Sequence, residues 1–184
     1  MMMLDLSFWK NASSKRKRVY SIIFIFVLAA IVTFVTSYIP ISQSQASTLS
    51  GNFNSTVNQH KSNGTLPEYF FLNNFEACLE FFIPIFGPIS GFISLGYTGY
   101  ILGAISKVQG YPPWVAWLSE LLLPVFWLEF IAYSTAMAES IWLTRRLFQR
   151  RWMELKNTAI LIGICAAILA VSAVIEAWLI SLGI

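Results

Sequence analysis

The chain has 184 residues, of which 57% are hydrophobic and only 11% are charged, and its formal net charge is +3. About a quarter of the residues are charged in a soluble domain, so this composition excludes an ordinary soluble fold and a disordered chain. It indicates a single all-α domain that crosses a membrane several times.

The first predicted element is a membrane anchor over residues 19–39, which follows a basic tail, residues 1–18. At about 1.5 Å per residue, the apolar run crosses a hydrocarbon core of about 30 Å. A cleaved signal peptide is the alternative, but its apolar region has only about 7–15 residues. We therefore expect an uncleaved anchor, with the basic tail in the cytoplasm.

Residues 40–68 are rich in Ser, Thr, Asn and Gln and predict a flexible, polar extracytoplasmic loop. Asn54 and Asn63 begin glycosylation sequons on the side of the membrane where glycans are added. The loop separates the anchor from a predicted four-helix membrane core, residues 69–184.

The core opens with two apolar runs, 69–86 and 89–107, which are separated by the sequence Pro-Ile-Phe-Gly-Pro at 84–88. Two prolines and a glycine end a helix, so we expect two spans joined by a tight cytoplasmic turn. A re-entrant hairpin that enters the membrane only halfway is the alternative, and periodicity does not separate the two.

A fourth span is predicted from Trp114 to about Ile141 and a fifth over residues 158–182. The basic cytoplasmic segment between them, residues 143–156, is expected to control topology; binding of anionic lipids or a partner is the alternative. Five spans put ten of the twelve basic residues, five in the tail and five in this segment, in the cytoplasm. We therefore predict a multi-pass protein of the cell membrane with an extracytoplasmic C-terminus.

Three glutamates, Glu76, Glu80 and Glu129, lie inside predicted spans that contain no Lys or Arg. A charge at the bilayer centre costs about 2.5–3.5 kcal/mol, whereas each Leu, Ile, Phe or Val returns about 0.3–0.6 kcal/mol. At helical periodicity Asn73 shares an arc with Glu76 and Glu80, and Asn74 lies beside it. We predict that these five residues form an intramembrane polar cluster, shielded by protein.

Three further glutamates are expected outside this cluster. Counted from the span boundaries, Glu120 and Glu176 fall in the outer half of the membrane and Glu139 lies nearer the inner surface.

Small residues recur on one face of two predicted spans. Gly96, Gly99 and Gly103 follow this pattern in the third span, and Ala132 and Ala136 in the fourth. Membrane helices approach closely along such faces, so we predict helix packing; a substrate path is the alternative.

Enzyme signatures are missing from the sequence. It has no HExxH, GxSxG or Walker A motif, and its single aspartate, Asp5, lies in the basic tail. No CxxC or HxxxH pattern accompanies the two cysteines. We expect no enzymatic activity, no cofactor, no metal and, because the basic clusters follow topology, no nucleic-acid partner.

Three motifs between residue 69 and about residue 147 carry a family resemblance. They are Phe71-Leu72-Asn73-Asn74, then Gly99-Tyr100-Ile101-Leu102-Gly103-Ala104, and finally Leu123-Pro124 followed by Glu129 and Ala132. This segment resembles the stage II sporulation protein M family of integral membrane proteins. It departs from the family pattern at Thr98, where asparagine is common, and at Val125, where histidine is frequent. The resemblance implies a multi-span, non-enzymatic membrane subunit.

The leading hypothesis is a scaffold that lies in the lipid bilayer and binds other membrane proteins, or further copies of itself, through its small-residue faces. Its glutamates would then be structural hydrogen-bond anchors. The alternative is a transporter or channel component that uses Glu76, Glu80 and Glu129 as a proton or cation site.

Overall fold

The computed structural model describes residues 13–150 and 153–183, and every regular element in these ranges is an α-helix. The helices are α1 (Ser14–Thr36), α2 (Gln43–Asn63), α3 (Leu66–Phe81), α4 (Gly87–Gln109), α5 (Pro113–Leu122), α6 (Pro124–Phe148) and α7 (Glu154–Leu182). Residues 1–12 of the basic tail and residues 151–152 of the basic segment lie outside the described residues.

Three helices, α1, α4 and α7, are long and apolar enough to cross a membrane, and the bent pair α5–α6 adds a fourth if it counts as one span. Helix α3 has 16 residues, which corresponds to about 24 Å. That is shorter than a hydrocarbon core of about 30 Å. The described residues therefore contain three or four candidate spans, rather than the five expected from the sequence.

The expected fourth span is broken near its beginning. Helices α5 and α6 meet at an angle of 86°. Pro124 disfavours the helical conformation at the preceding residue, and Leu123 is accordingly extended, with φ −86° and ψ 139°. The Trp127 indole N–H donates to the Leu121 carbonyl oxygen at 2.9 Å and ties the two sides of the bend together. The predicted fourth span, from Trp114 to about Ile141, is thus a bent pair of helices rather than one straight helix.

Helix α1 packs parallel to α4. The Thr33 hydroxyl donates to the Leu95 carbonyl oxygen at 3.3 Å, and further along both helices the Lys107 ammonium donates to the Ile41 carbonyl oxygen. The ends of α1 and α4 nearest to these last two residues therefore lie together, beside α2. We call this end of the bundle the α2 end.

Helix α6 packs antiparallel to both α1 and α7. Arg18, near the start of α1, pairs with Glu139, toward the end of α6. Thr158, near the start of α7, also bonds Glu139, whereas Ser172 later in α7 bonds Glu129 earlier in α6. We call this opposite end of the bundle the Glu139 end.

The face of α4 that contains Gly96, Gly99 and Gly103 is covered by α1 of the same chain. A Cβ atom at Gly99 or Gly103 would collide with the carbonyl oxygens of Thr33 or Ser37 on α1, whereas at Gly96 it would make ordinary van der Waals contact with α1. The backbones of α1 and α4 approach closely because these side chains are missing. This face is therefore not available to a partner protein.

The other predicted packing residues, Ala132 and Ala136, are fully buried on α6. They belong to the main apolar core, in which Phe81, Met137 and Leu169 are the largest fully buried apolar side chains. Their small size lets α6 lie against α7, and the Cys165 thiol of α7 reaches the Ala132 carbonyl oxygen at 3.6 Å.

The polar segment 40–68 is mostly helical, so the prediction of a flexible loop is wrong. Ser42 and Gln45 form a reciprocal capping box at the start of α2, and Gly64 ends the helix with φ 69°. Both signals were present in the sequence, since Ser-x-x-Gln starts helices and glycine readily adopts positive φ. The buried side chains of α2 are Ala46, Ser50 and Val57.

A tight turn joins α3 to α4, as the two prolines predict. Ile85 has φ 72°, which is uncommon for a β-branched residue. Two hydroxyls from α6 hold the turn: Thr144 accepts a hydrogen bond from the Ile85 N–H at 2.9 Å, and Ser140 donates to the Ile83 carbonyl oxygen at 2.6 Å. The turn therefore lies at the Glu139 end.

Candidate functional site

A cavity of about 530 Å³ lies inside the bundle, toward the α2 end, and all seven described helices contribute to its wall. Three of its lining residues are glutamates: Glu120 from α5, Glu129 from α6 and Glu176 from α7. None of its lining residues among the described parts of the chain is Lys, Arg or His. We call this space the acidic cavity.

Glu129 is held by neutral hydrogen-bond donors from two other helices. Its Oε1 atom accepts from the Asn74 side-chain amide of α3 at 2.6 Å and from the Ser172 hydroxyl of α7 at 3.4 Å. The Asn73 side-chain amide donates in turn to the Asn74 side-chain oxygen, Oδ1, at 3.3 Å. These contacts orient the carboxyl group but supply no positive charge.

Glu120 reaches the same cavity because of the bend at Pro124. In a straight helix, nine residues separate Glu120 from Glu129, which would place the two about 180° apart on opposite faces. The 86° bend folds α5 back over the bundle and brings both to one wall. In the turn before α5, partial burial and the Glu120 charge raise the pKa of the Tyr111 phenol.

Glu176 follows Ser172 by one helical turn on α7 and therefore lies on the same side of the helix; Ser172 contacts Glu129 of α6, and Glu176 lines the cavity. Its Oε2 atom is buried and has no hydrogen-bond partner among the described residues. A buried acceptor without a donor is costly, and it marks a position where a ligand, a proton or water completes the structure.

Two further cavity residues carry polar groups without partners. The Trp117 indole N–H is buried and unpaired within the described chain. Tyr133 is only 6% exposed and lines the cavity, and its hydroxyl has no hydrogen bond to any described residue. The wall thus offers one unpaired donor and one hydroxyl that can donate or accept.

Three carboxyl groups in one low-dielectric space repel each other when ionised, so protons or a cation must neutralise them. Among the residues that the structure describes, no three His, Cys, Asp or Glu side chains converge closely enough to hold a metal ion. The carboxyls therefore surround the space instead of meeting at a point within it.

The structure does not bring Glu76 and Glu80 into this site, and both are exposed on α3. The face of α3 that packs inward contains Phe70, Asn74 and Cys78. Glu76 and Glu80 lie about 200° and 240° around the helix from Asn74 and hence point away from the bundle. Of the five residues expected to form one shielded cluster, only Asn73, Asn74 and Glu129 lie together.

Sequence reasoning missed Glu120 and Glu176 because it counted depth along straight spans. The available signal was Pro124 between Glu120 and Glu129, since a proline inside a helical run redirects the chain. For Glu176 the signal was Ser172 one turn earlier, a second polar residue on the same face of an otherwise apolar helix.

A separate carboxyl, Glu139, is buried at the other end of the bundle with only 3% of its surface exposed. Arg18 Nη1 lies 3.4 Å from Glu139 Oε2, and the Thr158 hydroxyl donates to Oε1 at 3.0 Å. The Arg18 guanidinium also lies 6.0 Å from the centroid of the Trp142 ring. We call these four residues the Glu139 cluster; they connect α1, α6 and α7.

Comparison with protein-family models, curated proteins and solved structures finds no match to the chain. The resemblance to the stage II sporulation protein M family therefore stays a prediction that depends on the quoted motifs.

Proposed function

We propose that this chain is a non-enzymatic, multi-pass membrane protein that binds a cation in the acidic cavity, as a transporter or as a subunit of a channel. The observation that supports this most is that Glu120, Glu129 and Glu176 line one cavity, and no basic residue lines it in the part of the chain that the structure describes. Burying carboxyls costs free energy unless an opposite charge compensates them. A cation from solution would supply that charge.

In this proposal the five segments α1, α3, α4, α5–α6 and α7 run alternately through a cell membrane. The Glu139 end is cytoplasmic and the α2 end is extracytoplasmic. Basic residues support this orientation, because Arg18, Arg145 and Arg146 lie toward the Glu139 end, whereas among the described residues only Lys61 and Lys107 lie toward the other. The acidic cavity then faces the extracytoplasmic half.

The test compares two double variants with equal changes in charge. Glu129→Gln with Glu176→Gln removes two carboxyls from the cavity, whereas Glu76→Gln with Glu80→Gln removes two exposed carboxyls from α3. Purified proteins in nanodiscs would be titrated with Na⁺, K⁺, Ca²⁺ and ammonium compounds by calorimetry. We expect the cavity variant to lose binding by about tenfold or more and the control to keep it.

Equal binding by wild type and both variants would contradict the proposal, as would the absence of binding by any cation. Flux into liposomes, measured with the same variants, separates a transporter from a protein that only binds.

A second candidate is the scaffold that the family resemblance implies, with membrane proteins or a second copy as partners. The exposed outer face of α3 favours it: Glu76 and Glu80 lie there with Leu72, which is 62% exposed, and Ile83 in the turn after the helix is 48% exposed. Carboxylates on the outside of a membrane segment are costly unless a partner or water covers them. The glycine face of α4 cannot serve this role, because α1 fills it.

The same two double variants test the scaffold. Cross-linking in native membranes, followed by purification, should recover a stoichiometric partner or dimer with wild type and with the cavity variant. The Glu76→Gln and Glu80→Gln variant should lose it. Recovery of a lone chain from cross-linked membranes would count against this candidate.

A further inference from the structure

We infer that the cavity takes an organic ammonium ion with an apolar or aromatic body, rather than a bare metal ion; this rests on the proposed cation-binding function. Size is the first reason. A volume of about 530 Å³ lies within the range of about 300–1,000 Å³ that small-molecule sites occupy. A metal ion would leave most of it empty and would need carboxyls that converge, which the described residues do not provide.

Aromatic side chains form much of the wall next to the carboxyls. Phe126 and Phe130 stack with ring centroids 4.1 Å apart, and Trp117 packs edge-on against Phe126 at 6.1 Å. Phe126 and Phe130 flank Glu129 on α6, three residues before it and one after. Aromatic faces attract ammonium groups through cation–π interactions worth about 0.5–2 kcal/mol, and they also pack against the carbon skeleton of the ligand.

Unpaired polar atoms supply the hydrogen bonds that such a ligand needs. The Glu176 Oε2 atom is buried without a donor, and the Tyr133 hydroxyl has no described partner although Tyr133 is only 6% exposed. A primary ammonium has three N–H donors and one positive charge, so it can donate to the Glu176 acceptor and at the same time compensate one ionised carboxyl. A proton alone would neutralise a carboxyl but would leave the volume unfilled.

The experiment titrates wild-type protein in nanodiscs with 2-phenylethylammonium and with 2-phenylethanol, its neutral counterpart of nearly equal size. We expect the ammonium compound to bind at least about tenfold more tightly than the alcohol, because only it compensates the carboxyls. The Glu129→Gln and Glu176→Gln variant should abolish this preference. The Glu76→Gln and Glu80→Gln control should keep it.

A second variant tests the aromatic wall separately. Trp117→Leu keeps an apolar side chain but removes the indole, and we expect it to weaken 2-phenylethylammonium by about threefold to tenfold while leaving any Na⁺ binding unchanged. Folding of each variant would be checked by its thermal unfolding midpoint.

The outcomes separate this inference from the proposed function. Binding of Na⁺, K⁺ or Ca²⁺ that depends on the cavity carboxyls, without binding of the ammonium compound, would overturn the inference and leave the proposed function standing. Equal affinity for the alcohol and the ammonium would also overturn it. If no cation binds the wild-type protein, both the proposed function and this inference are contradicted.

Discussion

The buried Glu139 and the partly buried glutamates of the acidic cavity lie toward opposite ends of the bundle and differ in what compensates their charge. Glu139 has a guanidinium at 3.4 Å and a hydroxyl donor at 3.0 Å, both from other helices of the same chain. Glu129 has an amide and a hydroxyl but no positive charge, and Glu176 has an oxygen atom with no described partner. The protein itself supplies the positive charge and the donor that Glu139 needs, whereas a ligand or protons from solution must compensate the carboxyls of the acidic cavity.

The largest expected effect is at the Glu139 cluster. Glu139→Gln removes a nearly buried carboxylate whose Oε2 atom lies 3.4 Å from the Arg18 guanidinium, and we expect a loss of about 2–4 kcal/mol in the free energy of unfolding. Unfolding in mixed micelles measures it. The double change Arg18→Met with Glu139→Leu should recover much of the loss, because no unpaired charge remains. If Glu139→Gln lowers the free energy of unfolding no more than Glu129→Gln does, the proposed difference between the Glu139 cluster and the acidic cavity is contradicted.

Acid should weaken cation binding in the acidic cavity, where the carboxyls have no basic partner among the described residues. Protons compete with a cation for Glu120, Glu129 and Glu176. The cavity wall described by the structure also contains three tyrosines, Tyr69, Tyr97 and Tyr133. Affinity should therefore fall as pH falls, by up to about tenfold per pH unit for each proton displaced. The probe 2-phenylethylammonium stays protonated between pH 5 and 8, so calorimetry isolates the change in the protein. An affinity independent of pH between 5 and 8 would contradict the prediction.

Loss of the bend between α5 and α6 should reduce cation affinity less than acid does. Pro124→Ala combined with Trp127→Phe removes the proline and the indole hydrogen bond that hold α5 against α6. Glu120 should then leave the cavity, and affinity should drop by about fivefold as one of the three carboxyls is lost. Pro113→Ala is the matched control, because this proline begins α5 away from the bend. Similar losses in both variants would show that the bend does not organise the site.

The smallest expected effect has the opposite sign from that at Glu139. Glu129→Gln with Glu176→Gln should raise the free energy of unfolding by about 0.5–1 kcal/mol in the absence of ligand, since buried groups kept for binding often cost stability. The unfolding assay used for Glu139→Gln would measure it. A large destabilisation would assign these carboxyls to the structure of the bundle instead.

Much of the helical framework could be predicted from the sequence. The apolar runs that became α1, α4 and α7 are long, and proline and glycine mark the turn between α3 and α4. Periodicity also grouped Glu76 with Glu80 correctly on one arc of α3. It did not reveal that this arc faces outward. The faces of an apolar helix differ little in hydrophobicity, and the helices that pack against α3 are distant from it in sequence.

The composition of the acidic cavity could not be predicted for a related reason. A proline indicates a bend but not its angle, and only the angle of 86° brings Glu120 to the wall that holds Glu129. Helix α2 was missed because its polar composition resembles a loop, although Ser42, Gln45 and Gly64 carry the signals for its two ends. Local capping chemistry was more informative there than average composition.

The parallel contact of α1 with α4 has a consequence for the order of assembly during synthesis. Thr33 and its partner Leu95 are 62 residues apart, so α1 is complete well before the ribosome has made the glycine-lined surface that it will cover. In that interval the Thr33 hydroxyl is already satisfied, because it donates to the Ala29 carbonyl oxygen of its own helix at 3.0 Å. Helix α1 can thus form before α4 is synthesised, with its Thr33 hydroxyl already hydrogen-bonded, and can pack against the glycines of α4 once that helix has been made.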